Sequence, residues 1–286
     1  MLKNIKSNIR LKLAKNLGNT LVFLFPNKAR QLSENRITLI HKNKKKLNIF
    51  ERLMRYALVE KLEKIENHDK IAELNRKFWI NNKAIELFIE TEETFKTDFL
   101  PNCSFIFEIL KQELLNQSIQ FDTIVEIGTG NGDVLNYLST EFPQINKFIG
   151  IDLSKDQTAL NCVKFQKNKK LEFVALDAYD WVKENGKSNT IFVSSRGVLE
   201  YFLEQRLQDL FHEINQLGKT YFVAIEPNDA SHDFEKQPQT QLYGNEPSFS
   251  HNYPYLFKKT GFTLWHFSQK LWSNGGTIQT FIGAKN

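Results

Sequence analysis

Several carboxylates stand at the ends of short apolar runs, and their spacing suggests what they could bind. The first run, Ile124-Val-Glu126-Ile, opens into Gly128-Thr129-Gly130-Asn-Gly132. Glycine permits the left-handed backbone of a tight turn and lets a ligand approach closely. A helical pattern follows, with Val134, Leu135 and Leu138 on one side. Its start would turn free N–H groups and a positive dipole end toward that ligand. The second run, Lys147-Phe-Ile-Gly-Ile, ends in Asp152, 20 residues after Gly132. An acid so placed can accept hydrogen bonds from ribose hydroxyls. The third run is followed by Asp177-Ala178, whose carboxylate could take an exocyclic amine. The fourth ends in Ser194-Ser195-Arg196-Gly197, and the fifth in Glu226-Pro-Asn228-Asp229. Glu126, two residues ahead of the loop, would repel a pyrophosphate and attract an ammonium. The loop spacing is Gly-x-Gly-x-Gly, not the Gly-x-Gly-x-x-Gly of a dinucleotide site. Both points argue against a nicotinamide dehydrogenase.

These residues need a scaffold, and the chain supplies one from residue 121 onward. Strand patterns at 123–127, 147–152, 171–176, 190–195 and 220–226 alternate with helical patterns at 133–141, 155–166, 179–184 and 204–217. Such alternation implies a parallel sheet with helices on both faces. Ligands of such sheets sit at the carboxyl ends of the strands, where the strand order reverses. A loop rich in Pro, Gln, Asn and Ser spans 227–250, followed by a helix over 253–260. Strand patterns at 262–269 and 277–284 then flank Asn274-Gly-Gly276, which reads as a hairpin turn. Residues 47–118 read as helices throughout: they contain no glycine, and Pro101 is their only proline. Asn102 or Ser104 could cap the last of them.

Taken together, Glu126-Ile-Gly-Thr-Gly-Asn-Gly132, Gly150-Ile-Asp-Leu-Ser154 and Leu176-Asp-Ala178 resemble the first three motifs of class I S-adenosylmethionine-dependent methyltransferases. The resemblance covers about residues 105–286. It implies a Rossmann-like α/β fold: a seven-stranded, mostly parallel sheet ending in an antiparallel C-terminal hairpin, here with an N-terminal helical cap. It implies S-adenosylmethionine as cofactor and methyl transfer as activity, with no metal. Glu126 would contact the methionine end, Gly128, Thr129, Gly130 and Gly132 would pass beside it, and Asp152 would bind both ribose hydroxyls. Asp177 and Ala178 would hold adenine, with Leu153 and Ser194 completing the cofactor set. Ser194-Ser-Arg-Gly-Val-Leu-Glu-Tyr201 resembles the fourth motif loosely and lacks the Asp/Asn-Pro-Pro-Tyr/Phe signature of enzymes that methylate base amines.

Methyl transfer to a hydroxyl benefits from a base, since the acceptor must lose its proton. His251, in Phe249-Ser-His-Asn-Tyr253, and Glu226 are the candidates. Their bland readings are a helix-capping or packing role for His251 and a paired carboxylate for Glu226. Arg196, Tyr201, Asn228 and Tyr253 are candidate acceptor residues, and Arg196 would suit a carboxylate or phosphate. The loop 227–250 reads either as a lid or as an ordered surface segment. The leading expectation for the acceptor is a small molecule or sugar methylated on oxygen. Peptide, protein or carboxylate methylation, with the basic N-terminus for docking, is the second. A non-catalytic cofactor-binding scaffold is the third.

The net charge of +5 is uneven. Residues 1–46 hold 12 Lys/Arg against one acid, while the remaining 240 residues hold 26 basic and 32 acidic side chains. The basicity therefore belongs to the N-terminal segment. There Leu2, Ile5, Ile9, Leu13, Leu17 and Leu21 recur at helical spacing between the lysines, and Pro26-Asn27 interrupts them. That basic amphipathic pattern reads as a helix packed on the domain or as peripheral contact with anionic lipid through residues 1–25. Up to Leu21 its cations alternate with aliphatic and not aromatic residues, unlike a single-strand nucleic-acid site, so nucleic acid is disfavoured. We thus expect a basic segment 1–46, a helical cap 47–104 and a catalytic domain 105–286. No apolar run approaches the roughly 20 residues that span a bilayer. The two cysteines, Cys103 and Cys162, suggest a reducing, cytoplasmic setting.

Overall fold

Residues 2–35, 47–64, 67–80, 93–115, 120–244, 248–272 and 275–286 are described by a computed structural model. His41, the Lys42–Lys46 run, Ile85, Leu87, Phe88 and Asn274 lie outside them. The chain forms two compact units, residues 1–78 with 242–248 and residues 79–241 with 249–286.

The first unit is helical. Helix α1 (Leu2–Leu24) is followed after one residue by α2 (Pro26–Asn35), then α3 (Ile49–Lys64) and α4 (His68–Ile80). Pro26 interrupts the first helix as its sequence implies, yet it also starts the second. Its fixed φ and missing N–H suit a first helical position, and Ala29 N–H donates to Phe25 O at 3.0 Å. Gly18 lets α1 cross α3 closely, because a Cβ there would strike the Leu53 carbonyl and Ala57. Leu21, Val22, Ala29, Leu32, Leu47, Met54 and Leu58 form the small core of this unit.

The second unit holds the sheet. A π-helical turn (Phe95–Phe99) and a short helical turn (Leu100–Cys103) lead into α5 (Phe105–Leu115). Asn102 and Ser104 do not start that helix, because the chain is already helical before them. Asn102 Nδ2 donates to Asp98 O at 2.8 Å, and the Ser104 hydroxyl donates to Leu100 O at 2.6 Å. There follow β1 (Thr123–Ile127), α6 (Asp133–Glu141), β2 (Lys147–Asp152), α7 (Lys155–Lys164), β3 (Leu171–Ala175), α8 (Ala178–Asn185) and β4 (Thr190–Ser195). A 3-10 turn (Leu199–Tyr201), α9 (Glu204–Gln216) and β5 (Thr220–Asp229) come next. A small ribbon, β6 (Gln241–Tyr243) and β7 (Ser248–Ser250), whose residues 242–248 are grouped with the first unit, comes before α10 (Tyr253–Lys259), β8 (Thr263–Leu271) and β9 (Thr277–Lys285) in the chain.

The seven-stranded sheet has the order β3-β2-β1-β4-β5-β9-β8. Strands β1 to β5 pair in parallel, and β9 is antiparallel to both β5 and β8. Successive strand residues face opposite sides. Val125, Ile127, Ile151, Phe192 and Phe222 therefore pack with Trp181, Leu210, Phe211 and Phe257 of α8, α9 and α10. Ile124, Phe148, Ile191 and Val193 pack on the other face with Phe107, Leu110, Leu135 and Leu138 of α5 and α6. Strand β5 runs three residues beyond the predicted end at Glu226, because Pro227, Asn228 and Asp229 stay in register with Gln279, Ile278 and Thr277.

Candidate active site

Strand order reverses between β1 and β4, which lie side by side with Ile127 opposite Ser194. The carboxyl edge of that pair carries the glycine loop. The Gly128 and Thr129 N–H groups both donate to Ile151 O, at 2.8 and 3.0 Å, and Gly132 N–H donates to Thr129 O at 2.9 Å. Gly128 and Gly132 have φ of 69° and 77°, a region that favours glycine. Space is short as well, since a Cβ on Gly128 would strike Val198 and one on Gly132 would meet Phe165 and Phe173.

Asp152 ties this loop to the next strand. Its Oδ2 accepts from Gly130 N–H at 3.0 Å and its Oδ1 from Ser154 N–H at 2.9 Å. Burial pushes its pKa upward. Ser154 caps α7, accepting from Gln157 N–H at 3.2 Å. One turn on, Asn161 Nδ2 donates to Gly130 O at 2.7 Å. Gly130 is therefore held through both its N–H and its carbonyl. The sequence reading missed Asn161; the Ser154-x-x-Gln157 spacing marks the helix start without saying where the next turn points.

Glu126 is buried at the end of β1. Its Oε2 accepts from the Thr129 hydroxyl at 2.7 Å and its Oε1 from the Ser195 hydroxyl at 3.3 Å. Burial pushes its pKa up to about 8, against the pull of those two hydroxyls and of Arg196. Ser195, not Ser194, faces Glu126, because neighbouring residues of a strand point to opposite faces. The Ser194 hydroxyl donates instead to Glu226 Oε1 at 2.6 Å.

Asp177 caps α8, which begins at Ala178. Its Oδ1 accepts from Tyr179 N–H at 3.0 Å and from Arg206 Nη2 at 3.1 Å. The Arg206 guanidinium also lies 3.9 Å from the Tyr179 ring centre. Leu153 is half-buried beside Asp152. The Asp177 carboxylate thus already has a cationic partner, which the sequence reading missed.

Arg196 has a φ of 66° and is followed by Gly197 at 77°. A left-handed non-glycine residue is held there only by its surroundings. Its Nη2 donates to the Thr94 hydroxyl at 2.8 Å, and its guanidinium lies 5.8 Å from the Phe99 ring centre. Burial lowers its pKa, while Asp133, Glu126 and Asp98 favour its charge. An arginine stays protonated under such opposing effects. Phe99 is stacked on Phe95 at 5.7 Å; the Tyr201 ring lies 5.3 Å from Trp79.

Glu226, Asn228 and His251 have hydrogen-bond partners of their own. Glu226 is fully buried; its Oε2 accepts from Val198 N–H at 2.9 Å and Leu199 N–H at 3.0 Å, beyond the Ser194 bond. Burial pushes its pKa up to about 8. Asn228 donates to the Ser250 hydroxyl at 3.0 Å and His251 O at 2.8 Å, and accepts from Thr280 at 2.7 Å. His232 meets the same Ser250 hydroxyl through Nδ1 at 2.9 Å. His251 Nδ1 shares a hydrogen bond with the Thr240 hydroxyl at 2.8 Å, and burial pushes its pKa down to about 4. The Phe202 and Leu199 backbone favours its charged form against that burial, and its ring lies 5.5 Å from buried Tyr253. These bonds fasten the two ends of the 227–250 loop to each other; residues 245–247 lie outside the described residues.

The structure therefore brings Glu126, the glycine loop, Asp152, Ser195 and Arg196 to one strand edge, with Asp177 at the next. The residues there fit a nucleoside with a cationic amino-acid end: adjacent carboxylates and a turn with no room for side chains. Among the described residues no three His, Cys, Asp or Glu side chains are grouped as metal ligands.

Comparisons with known proteins place these residues in context. Residues 124–220 match the profile of a family described as a methyltransferase domain. No curated protein sequence matches the chain. Solved structures with a similar fold include a methyltransferase of Leishmania major described as S-adenosylmethionine-dependent, at 11% identity and a TM-score of 0.48 over 72% of this chain and 83% of that one. Magnesium protoporphyrin IX methyltransferase from Synechocystis gives 10% identity and a TM-score of 0.45 over 64% and 78%. A phosphoethanolamine N-methyltransferase of Haemonchus contortus gives 16% and 0.45 over 62% and 51%.

Proposed function

This chain contains a class I S-adenosylmethionine-dependent methyltransferase domain, and on that premise we propose that it methylates a hydroxyl of a small molecule or sugar bearing an anionic group. The observation that carries this reading is Arg196. Its guanidinium is a partly buried cation at the carboxyl edge of β4, set by a left-handed backbone and placed beside Phe99 and Thr94. A guanidinium suits a carboxylate or phosphate. The Phe99 ring beside Arg196, stacked on Phe95, favours an acceptor with an apolar part.

The bound cofactor supplies a methyl group on a sulfonium, so the protein's share is positioning and exclusion of water. In this reading Glu126 receives the cofactor ammonium, Asp152 the ribose hydroxyls, and Asp177 with Ala178 the adenine edge. Thr129 and Ser195 hold the Glu126 carboxylate in place. Arg196 and Tyr201 orient the acceptor. Asn228 and Tyr253 support it indirectly, by fixing the segment that carries His251. Assigning methyl transfer to residues 105–286, apart from a basic segment 1–46 and a helical segment 47–104, belongs to the same proposal. So do a cytoplasmic setting and peripheral contact of the N-terminal region with lipid.

Calorimetry separates acceptor from cofactor at Arg196. Arg196→Ala should leave affinity for S-adenosylhomocysteine within about threefold of wild type, because the acceptor and not the cofactor loses its partner. A tenfold or greater loss would move Arg196 to the cofactor carboxylate and remove the support for an anionic acceptor.

Of the two base candidates, we keep His251. Burial holds its imidazole below the usual histidine range and so in the neutral form, which can accept a proton, and its Nδ1 shares a hydrogen bond with the Thr240 hydroxyl. Once an acceptor is in hand, His251→Ala should lower turnover about 100-fold or more with cofactor affinity nearly unchanged. Unchanged turnover would leave His251 a packing residue.

A further inference from the structure

Among the described residues, apolar side chains are exposed at one end of the N-terminal unit. Helices α1 and α3 run antiparallel: Gly18 meets Leu53 and Ala57, and Lys15 pairs with Glu60 at 3.5 Å. The end of α1 and the start of α3 therefore share one end of the pair. Lys28, in the first turn of α2, joins them through Glu51 at 2.9 Å. At this end Phe23 is 83% exposed, Ile49 69% and Phe50 60%, with Leu24 and Phe25 beside them. The core of the unit uses a different set, Leu21, Val22, Leu47 and Met54. Exposed aromatic and aliphatic side chains gathered this way are uncommon on a surface without a partner.

Charge narrows the choice of partner. Lys28 and Arg30 of α2 and Arg52 of α3 are exposed within the first five residues of the helices that start at this end. Residues 1–64 as a whole carry 16 Lys/Arg against four acids. A second copy would bring the same positive charge against itself. Nucleic acid would use the cations and could stack on the phenylalanines, but it would leave Leu24 and Ile49 in water. A surface of anionic headgroups over hydrocarbon satisfies both.

We propose that this tip, Phe23, Leu24, Phe25, Ile49 and Phe50 with its basic rim, inserts into the interface of an anionic membrane. This deepens the peripheral contact in the functional reading above and changes its geometry. One face of α1 is already packed on α3, so α1 cannot lie along the bilayer on that face. The tip enters end-on, as a few side chains with cations at headgroup level. It would hold the catalytic domain beside lipid-borne or membrane-delivered acceptors.

Sedimentation with sucrose-loaded vesicles tests this on the full chain. Wild type should pellet with vesicles of phosphatidylcholine and phosphatidylglycerol, far less with phosphatidylcholine alone, and release should follow added salt. The variant F23S/F25S/I49S/F50S changes only exposed side chains and should bind at least about tenfold more weakly. Its circular dichroism and its calorimetric affinity for S-adenosylhomocysteine should match wild type, which separates this surface from the cofactor site. In Phe23→Trp, the added fluorescence should shift to the blue with the anionic vesicles. Equal pelleting of wild type and the fourfold variant, no pelleting of wild type, or indole emission from the Phe23→Trp variant that ignores vesicles would each overturn the proposal. So would self-association of wild type that the four substitutions abolish. Loss of cofactor affinity in wild type itself would count against the methyltransferase reading and leave the lipid result standing.

Discussion

Asp152→Ala is expected to weaken cofactor binding at least about 100-fold, roughly 3 kcal/mol, in calorimetry with S-adenosylhomocysteine. Two losses combine. The carboxylate that would accept both ribose hydroxyls disappears, and charged hydrogen bonds of that kind contribute about 1.5–3 kcal/mol each. The loop also loses its tether, since Asp152 holds the N–H groups of Gly130 and Ser154 at 3.0 and 2.9 Å. Asp152→Asn distinguishes the two. It keeps one oxygen for a backbone N–H but turns an amide N–H₂ toward the other donor, so it should fall between wild type and alanine. Asn161→Ala isolates the tether, because Asn161 holds Gly130 O at 2.7 Å. If Asp152→Ala binds as wild type does, the ribose assignment fails and with it the placement of the cofactor along β2.

The parts of this site legible in the sequence are those encoded locally. Glu126, the three glycines and Asp152 lie within one strand–turn–helix–strand unit, where spacing along the chain fixes position in space. The strand bounds of β1, β2 and β4 follow from the same pattern. Parts that depend on register or on distant pairing were not legible. Ser194 and Ser195 are equivalent in composition, and only the phase of β4 turns Ser195 toward Glu126 and Ser194 toward Glu226. Thr94 and Phe99 come from a helical stretch with no motif of its own, yet they anchor Arg196. The 227–250 loop is polar enough to read as mobile. Its Asn, Ser, Thr and His side chains instead pair with one another and with β5 and β9. Pro26 shows the same limit at small scale: the residue that ends one helix also begins the next.

Glu226 carries the largest expected effect on stability, and the two substitutions that test it should differ sharply. Its carboxyl group holds the Ser194 hydroxyl and the N–H groups of Val198 and Leu199, so it joins β5 to the end of β4 and the turn after it. It is completely buried. Glu226→Ala leaves three donors unpaired away from water, at about 1–3 kcal/mol each, and should cost about 3–5 kcal/mol in denaturant unfolding. Val198 also packs against Gly128, so the glycine loop would feel the change. Glu226→Gln is different. With the folded pKa raised from 4.5 to about 8, the side chain is largely protonated at pH 7 and an amide mimics it. One oxygen can still accept both backbone N–H groups while the serine hydroxyl rotates to accept from the amide. The expected cost is about 1 kcal/mol or less. The pH dependence follows from the same shift. Between pH 4.5 and 8 the folded protein keeps a proton that the unfolded chain has released, so this group's contribution to stability declines as pH rises through that window. Glu226→Gln should flatten part of that decline. The base reading makes the opposite forecast, near-complete loss of turnover in Glu226→Gln with normal stability. A glutamine variant that folds, binds cofactor and turns over would therefore assign Glu226 to holding the turn behind Arg196 rather than to taking the acceptor's proton.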